Sequence, residues 1–167
     1  MTGVPAPDVT TDVRWHSSDT GADEALRIHV GAVVGVRPGS VKVGRLCGRC
    51  GSVEHGRPWA DHGVHVSLAR SGRHLVTAVS TSGPVGVDVE SVDAVDRAWE
   101  DLSALWGSEP VPEGTGRAAW WCRLEAALKR DGAGLADPVD LALVDRRRVD
   151  DLVAPAAYCA AVAVTRG

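Results

Sequence analysis

Apolar and polar positions alternate most clearly in the middle of this chain. Strand-like runs lie at residues 64–68, 75–79 and 85–90, and turns rich in Gly and Ser at 71–72 and 82–84 separate them. Because these strands follow one another through short turns, they favour antiparallel pairing over βαβ units.

The helical spacing of apolar residues predicts two main helices. Leu26, Val30 and Val33 recur at helical intervals within residues 23–34, and a second helix over 117–131 ends at a glycine-rich segment. The remaining predicted elements are a short helix at 99–106, a Gly- and Cys-rich loop at 47–62, and strands at 13–16, 41–45, 139–144, 149–153 and 158–164.

A helix followed by strands occurs twice along the chain, although no internal repeat is visible in the sequence. We therefore predict an α+β fold of two pseudo-symmetric halves, each a helix packed on a small antiparallel sheet. The predicted organisation is a Pro- and Thr-rich flexible tail at 1–11, an N-terminal half at 12–90 and a C-terminal half at 91–167.

The length and composition are those of a globular chain. Its 167 residues suit about one domain, and contents of 44% hydrophobic and 24% charged residues exclude wholesale disorder. No apolar run is long enough for a transmembrane helix, and residues 1–12 lack the pattern of a signal peptide, so we expect a cytoplasmic protein. The net charge of −4 argues against a nucleic-acid-binding protein.

Two carboxylates lie in the run from Val85 to Glu90. Since side chains alternate along a strand, Asp88 and Glu90 share one face with Gly86, about 7 Å apart, while the valines share the other. The glycine leaves room for a ligand, and a pair of carboxylates is a typical partner of Mg²⁺ and substrate phosphates. The alternative is a solvated strand face that carries acidic residues.

A second candidate stripe lies on the helix over 117–131. Trp121, Glu125 and Lys129 are spaced at four-residue intervals, so they share one side of the helix. The alternative is an ordinary surface pair of Glu125 and Lys129. Trp120, Leu124, Ala127 and Leu128 form the apolar side.

Two arginines lie in or beside Gly-containing turns. Arg57 is flanked by Gly56 and Pro58, and Arg70 lies in Ser-Leu-Ala-Arg-Ser-Gly. An arginine beside a flexible backbone segment suits contact with a phosphate, and an exposed loop arginine is the alternative.

Taken together and in order, these motifs resemble those of the Sfp-type 4′-phosphopantetheinyl transferases. The chain reads Gly-Arg-Pro, Ser-Leu-Ala-Arg-Ser-Gly, Gly-Val-Asp-Val-Glu and Trp-Cys-Arg-Leu-Glu-Ala-Ala-Leu-Lys, where the family has Gly-Lys-Pro, Asn-Leu-Ser-His-Ser-Gly, Gly-Val-Asp-Ile-Glu and Trp-x-x-Lys-Glu-Ala-x-x-Lys. The resemblance covers roughly residues 45–135 and is that of a short member of the actinobacterial kind.

The resemblance implies a monomer that binds coenzyme A (CoA) between its halves. It would transfer the phosphopantetheine arm of CoA to a serine of an acyl or peptidyl carrier protein in a Mg²⁺-dependent reaction, and release 3′,5′-ADP. Asp88, Glu90 and Glu125 are the implied Mg²⁺ ligands, and Asp88, Glu125 and Lys129 the implied catalytic residues. Lys129, Arg57, Arg70 and Arg27 are the implied contacts to CoA.

Two of the chain's departures from the family pattern change the charge at their position. Arg70 replaces a histidine, and Leu124 replaces the lysine that precedes the glutamate. We expect Leu124 to be buried with the apolar side of its helix, and Arg70 to supply the missing positive charge. The segment between Glu90 and Trp120 is also short, which leaves the choice of carrier protein open.

A separate pattern, Cys47-x-x-Cys50 followed by His55, is typical of zinc ligands. His62 or Asp61 is then the nearest candidate for a fourth ligand, and a turn with two free thiols is the other interpretation. The sequence thus leaves two alternatives to a transferase: a degenerate family member that only binds CoA or a carrier protein, and a zinc-stabilised interaction module.

Overall fold

The computed structural model describes residues 11–17, 19–105, 111, 116–133 and 149–165. The predicted strand at 139–144 lies outside these residues. The predicted tail at 1–11 also lies outside them, except for its last residue. The described part contains these strands and helices: β1 (Thr11–Ser17), α1 (Ala22–Val34), β2 (Val43–Leu46), β3 (Arg57–Ala60), β4 (His65–Ser71), β5 (His74–Ser80), β6 (Val85–Ser91), α2 (Val92–Arg97), α3 (Trp99–Ser103), α4 (Arg117–Asp131), β7 (Val149–Asp151) and β8 (Tyr158–Val164).

In the residues that the structure describes, two three-stranded antiparallel sheets and one two-stranded sheet form the β structure, which confirms the α+β prediction. The first sheet has the order β1-β5-β4, the second has the order β6-β8-β7, and β2 pairs with β3. Each larger sheet, as described, consists of a strand that precedes its helix, α1 or α4, and two strands that follow it, and the last strand lies in the centre. The described strands of the two larger sheets therefore share one topology.

Each main helix packs on one of the larger sheets. Helix α1 buries Leu26 and Val30 against Val66 and Val79 of the first sheet. Helix α4 contributes Cys122, Ala126 and Ala127 to a cluster with two alanines of β8. Because these residues are small, α4 lies close to the second sheet, and the side chains between helix and sheet are deeply buried. In the described part of the chain, no helix has the length and apolarity needed to cross a membrane.

The edges of the two sheets meet along β4 and β6. The Ser67 hydroxyl oxygen accepts a hydrogen bond from the backbone N–H of Val87 at 3.1 Å, and the Ser71 hydroxyl accepts one from Ser91 at 3.2 Å. Serine side chains of one edge strand thus satisfy backbone donors of the other. Strand β6 belongs to the second sheet, although it lies before the predicted boundary at residue 90.

A buried polar cluster joins α1 to the first sheet. His29 is fully buried, its Nδ1 lies 2.6 Å from the Thr77 hydroxyl, and its Nε2 lies 3.0 Å from the Asp12 carboxylate. His16 contacts the same hydroxyl at 2.7 Å, and Arg14 pairs with Asp12. Burial lowers the pKa of His29 to about 4, against the opposing effect of Asp12, so this histidine is neutral at pH 7.

Candidate functional site

Both faces of strand β6 are buried. Val85, Val87 and Val89 have no exposed surface, as the alternation predicted. Gly86 lies on the other face, directly under α4: a Cβ atom there would collide with the carbonyl oxygen of Ala126. The expectation that Gly86 leaves room for a ligand is therefore wrong, because the backbone of α4 fills that space.

Asp88 is held beneath α4 by Lys129. Its Oδ1 accepts a hydrogen bond from Lys129 Nζ at 2.6 Å, and the residue is only 2% exposed. A solvated strand face is therefore excluded for Asp88. Its Oδ2 is buried and has no hydrogen-bond partner among the described residues. The thiol of Cys122 donates to the carbonyl oxygen of Cys159 at 3.2 Å.

Glu90 and Glu125 lie close enough to Asp88 for its charge to raise the pKa of both. Burial, followed by the charge of Asp88, raises the pKa of Glu90 to about 7, although Ser71 donates to this carboxylate at 3.2 Å. Burial also raises the pKa of Glu125, with the Lys129 ammonium opposing this effect and Asp88 adding to it. The strand and helix thus bring together the three carboxylates that the sequence indicated.

These three carboxylates suit a hard divalent cation. Mg²⁺ takes oxygen ligands and is commonly held by one or two carboxylates together with substrate phosphates and water. The unpartnered Oδ2 of Asp88 offers one such oxygen, and a cation would also relieve the repulsion between Asp88, Glu90 and Glu125.

A cavity of about 560 Å³ lies at the C-terminal end of α4, and Lys129, which binds Asp88, links it to the carboxylates. Residues of β2, β3 and β4 line one side, and Lys129, Gly132 and Ala133 line the other. Among the described residues, the charged ones that line this cavity are all basic: Arg45, Arg49, Arg57 and Lys129. The charge of this lining suits an anion, and Lys129 both lines the cavity and binds Asp88.

Arg57 spans the cavity from β3 to the end of α4. Its Nη2 donates to the carbonyl oxygen of Arg130 at 3.0 Å, where the helix dipole favours a cation. Gly132 ends the helix with a φ of 74°, and a Cβ atom there would lie 3.2 Å from Arg57 Nη1. The glycine that ends α4 thus also makes room for this arginine.

Arg70 and Arg27 lie apart from this cavity. Strand alternation puts Arg70 on the opposite face of β4 from Ser71, where its exposed guanidinium donates to the carbonyl oxygen of Thr20 at 2.8 Å. Arg27 is half-buried on α1. Neither residue is among those that line the cavity, so their contacts with CoA stay predictions.

Leu124 is fully buried, which confirms the prediction for this departure from the family pattern. It packs with Trp121 and Leu128 of the same helix and with Val95 of α2. Trp121 is therefore a core residue rather than part of the polar stripe. The neighbouring Arg123 points away from the carboxylates and binds Asp151 through two hydrogen bonds of 2.7 and 2.6 Å.

The sequence interpretation missed two of the cavity's arginines, Arg45 and Arg49. Arg49 lies inside the Cys-x-x-Cys pattern, and the interpretation of that pattern concerned only the two cysteine sulfur atoms. The sequence did contain a signal for Arg45. If the predicted strand at 41–45 paired with the Gly-Arg-Pro segment in a hairpin, Arg45 would lie near Arg57. In the structure, Arg45 does lie opposite Pro58 in the β2–β3 ladder.

No family model matches this chain. The chain is similar to the 4′-phosphopantetheinyl transferase gsp of Aneurinibacillus migulanus, with 22% identity over 107 residues. The matched part is 60% of this chain and 45% of that protein, so the chain spans less than half the length of this curated relative. The similarity agrees with the motif resemblance at the level of 4′-phosphopantetheinyl transferases in general.

Proposed function

We propose that this protein is a cytoplasmic, monomeric 4′-phosphopantetheinyl transferase of the Sfp type. It transfers the phosphopantetheine arm of CoA to a serine hydroxyl of an acyl or peptidyl carrier protein and releases 3′,5′-ADP. The observation that carries the proposal is the position of Lys129, which binds Asp88 at 2.6 Å and lines a cavity whose other charged residues are arginines. A cationic cavity beside a carboxylate cluster suits a nucleotide diphosphate with its metal ion.

In this proposal, the nucleotide end of CoA occupies the cavity. A volume of about 560 Å³ is within the usual range for pockets that bind small molecules. Arg57 is fixed by the Arg130 carbonyl and would bind the 3′-phosphate of the adenosine, in the place of the family's lysine. Arg45 and Arg49 would add charge to the same part of the ligand.

The reacting end of CoA would meet the carboxylates. Asp88, Glu90 and Glu125 would hold Mg²⁺, which supplies charge neutralisation of the pyrophosphate when it is bound. Lys129 would face the transferring phosphate and stabilise the charge that develops on it. Glu125 has a raised pKa because of burial, which suits it to accept the proton of the serine hydroxyl as its oxygen attacks phosphorus.

A transfer assay on variants tests the proposal. Lys129→Ala and Glu125→Gln should each lower the rate of carrier modification by about 10²–10³-fold, the size of effect typical for loss of one transition-state contact. Arg123→Gln is the matched control on the same helix, because its side chain binds Asp151 instead, and its rate should stay within about twofold. Wild-type protein that binds CoA but modifies no carrier protein would indicate the degenerate alternative.

The assignment of Arg57 has its own test. Arg57→Ala should weaken binding of CoA by roughly 10–100-fold, as expected for loss of a charge-assisted hydrogen bond, and should change binding of dephospho-CoA little. Calorimetric titration of both ligands measures the difference. Equal weakening of the two would mean that Arg57 does not contact the 3′-phosphate.

A further inference from the structure

A loop between β2 and β3 gathers three side chains that bind soft metals. The ligand atoms of Cys47, Cys50 and His55 all lie within 4.8 Å of one another, and Cys50 Sγ lies 3.4 Å from His55 Nε2. We infer that these three residues form a Zn²⁺ site. The site is distinct from the carboxylate cluster and uses no residue to which the proposed transfer assigns a role.

The separation of the ligand atoms fits tetrahedral zinc. With Zn–S of about 2.3 Å and Zn–N of about 2.0–2.1 Å, a tetrahedral angle puts sulfur and nitrogen about 3.6 Å apart. The distance of 3.4 Å between Cys50 Sγ and His55 Nε2 is close to that edge. Only small shifts of exposed side chains would therefore be needed around the ion.

The backbone forms this arrangement without the metal. The N–H of Gly51 donates to the carbonyl of Cys47 at 2.9 Å, and the N–H of Cys47 donates to the carbonyl of Ser52 at 2.9 Å. Gly51 and Gly56 have φ angles of 70° and 107°, and a Cβ atom on Gly56 would lie 2.5 Å from the backbone of Cys47. Glycine at these two positions lets the loop fold back on itself.

The turn also directs backbone donors at one of the two cysteine ligands. Backbone N–H groups of Cys50 and Arg49 donate to the Cys47 sulfur. Hydrogen bonds from backbone N–H groups to a ligand sulfur stabilise its negative charge and fix its direction.

The two candidates for a fourth ligand from the sequence, Asp61 and His62, lie beside each other and outside the cluster. Asp61 Oδ1 accepts a hydrogen bond from the backbone N–H of Lys42 at 3.0 Å and lies 3.5 Å from His62 Nε2. Neither residue belongs to the cluster among the described residues. Zinc here would have three protein ligands and a water molecule. Because Cys47 and Arg49 also line the cationic cavity, the ion would fix one rim of it.

The test measures metal directly and does not involve CoA. Protein purified in zinc-containing medium should hold about one zinc per chain by elemental analysis. Cobalt(II) in its place should give the sulfur-to-cobalt charge-transfer band in the near ultraviolet, which carboxylate ligands cannot give. Cys50→Ser and His55→Gln should each weaken zinc binding at least tenfold in a chelator competition. His62→Asn is the matched control and should leave zinc binding unchanged, since asparagine tolerates the φ of 64° at that position.

Each outcome decides the inference. Stoichiometric zinc that depends on Cys50 and His55, with the charge-transfer band in wild-type protein, supports it. Absence of zinc together with absence of the band overturns it, as does a Cys47–Cys50 disulfide in the purified protein. Zinc that both variants retain would place the metal elsewhere and also overturn it. None of these results would decide whether the protein is a transferase, because they measure metal binding and not transfer.

Discussion

The ion pair of Asp88 and Lys129 should respond unequally to the loss of its two members. Lys129→Ala leaves the Asp88 carboxylate 2% exposed, without its cation and beside two other carboxylates. Asp88→Asn leaves an ammonium that still reaches solvent, because the Lys129 side chain is 32% exposed. We therefore expect the lysine variant to be far less stable than the asparagine variant.

The geometry sets the size of this difference. At 2.6 Å, two unit charges attract by about 6 kcal/mol with an effective dielectric constant of about 20, and desolvation opposes this attraction. Removal of one partner of a buried ion pair lowers the free energy of unfolding by about 3–5 kcal/mol. Because the Lys129 side chain is partly exposed, we expect the loss in Lys129→Ala to lie at the lower end of this range, about 3 kcal/mol. Asp88→Asn keeps an acceptor for the lysine and removes the repulsion of Asp88 with Glu90 and Glu125. The free energy of unfolding of this variant should therefore fall by less than about 1 kcal/mol.

Urea unfolding in the presence of EDTA measures these free energies for the wild type, both single variants and the double variant. The double variant should be about as stable as Asp88→Asn alone, because no buried charge remains in it, which gives a coupling energy of about 3 kcal/mol. Equal losses in the two single variants, or additive losses in the double variant, would refute the reasoning.

Two further predictions concern the fold that carries the site. Gly86→Ala should lower the free energy of unfolding by about 3 kcal/mol or more, because its Cβ would collide with the backbone of α4; Gly39→Ala, with open space around it, is the control and should change this free energy little in the same urea titration. The part of the stability that His29 contributes should also fall by about 3 kcal/mol as the pH drops from 6.5 to about 4, because the pKa of His29 is lower in the folded state, so the unfolded chain binds more protons at this residue in that window. The raised pKa of Glu90 acts in the opposite direction, so the urea titrations should compare variants across this range. The free energy of unfolding of the wild type should fall by about 3 kcal/mol relative to that of His29→Gln, and should not change relative to that of the exposed His65→Gln.

The elements with strong local patterns could be predicted from the sequence. The spacing of apolar residues in α4 indicated residues 117–131, and the alternation in β8 indicated 158–164, as the structure has them. Helix α2 was missed because it has six residues, too few for a periodic pattern; its N-cap is Ser91, whose hydroxyl accepts from Ala94 N–H. Strand β3 was missed because it begins with Arg57-Pro58 and forms by pairing with β2.

The site was predictable in its acids but not in its surroundings. Alternation placed Asp88 and Glu90 on one face of a strand, and the motif order added Glu125 and Lys129. Neither pattern could reveal that α4 covers that face and fills the space at Gly86. The path of a helix over a sheet depends on packing across the whole fold. Arg49 was missed for a similar reason, since the fold of the loop between β2 and β3 brings it to the cavity. Arg45 lies in β2, and the pairing of that strand with the Gly-Arg-Pro segment could have indicated it.

The most direct test of the account is the mass of apo carrier proteins after incubation with the wild-type protein, CoA and Mg²⁺. Carriers from fatty-acid, polyketide and nonribosomal-peptide synthesis should be compared at equal concentration. The account predicts that at least one of them gains a single phosphopantetheine group on one serine, with one 3′,5′-ADP released for each carrier modified. Carriers that all keep their mass, while CoA binds and is recovered intact, would contradict it.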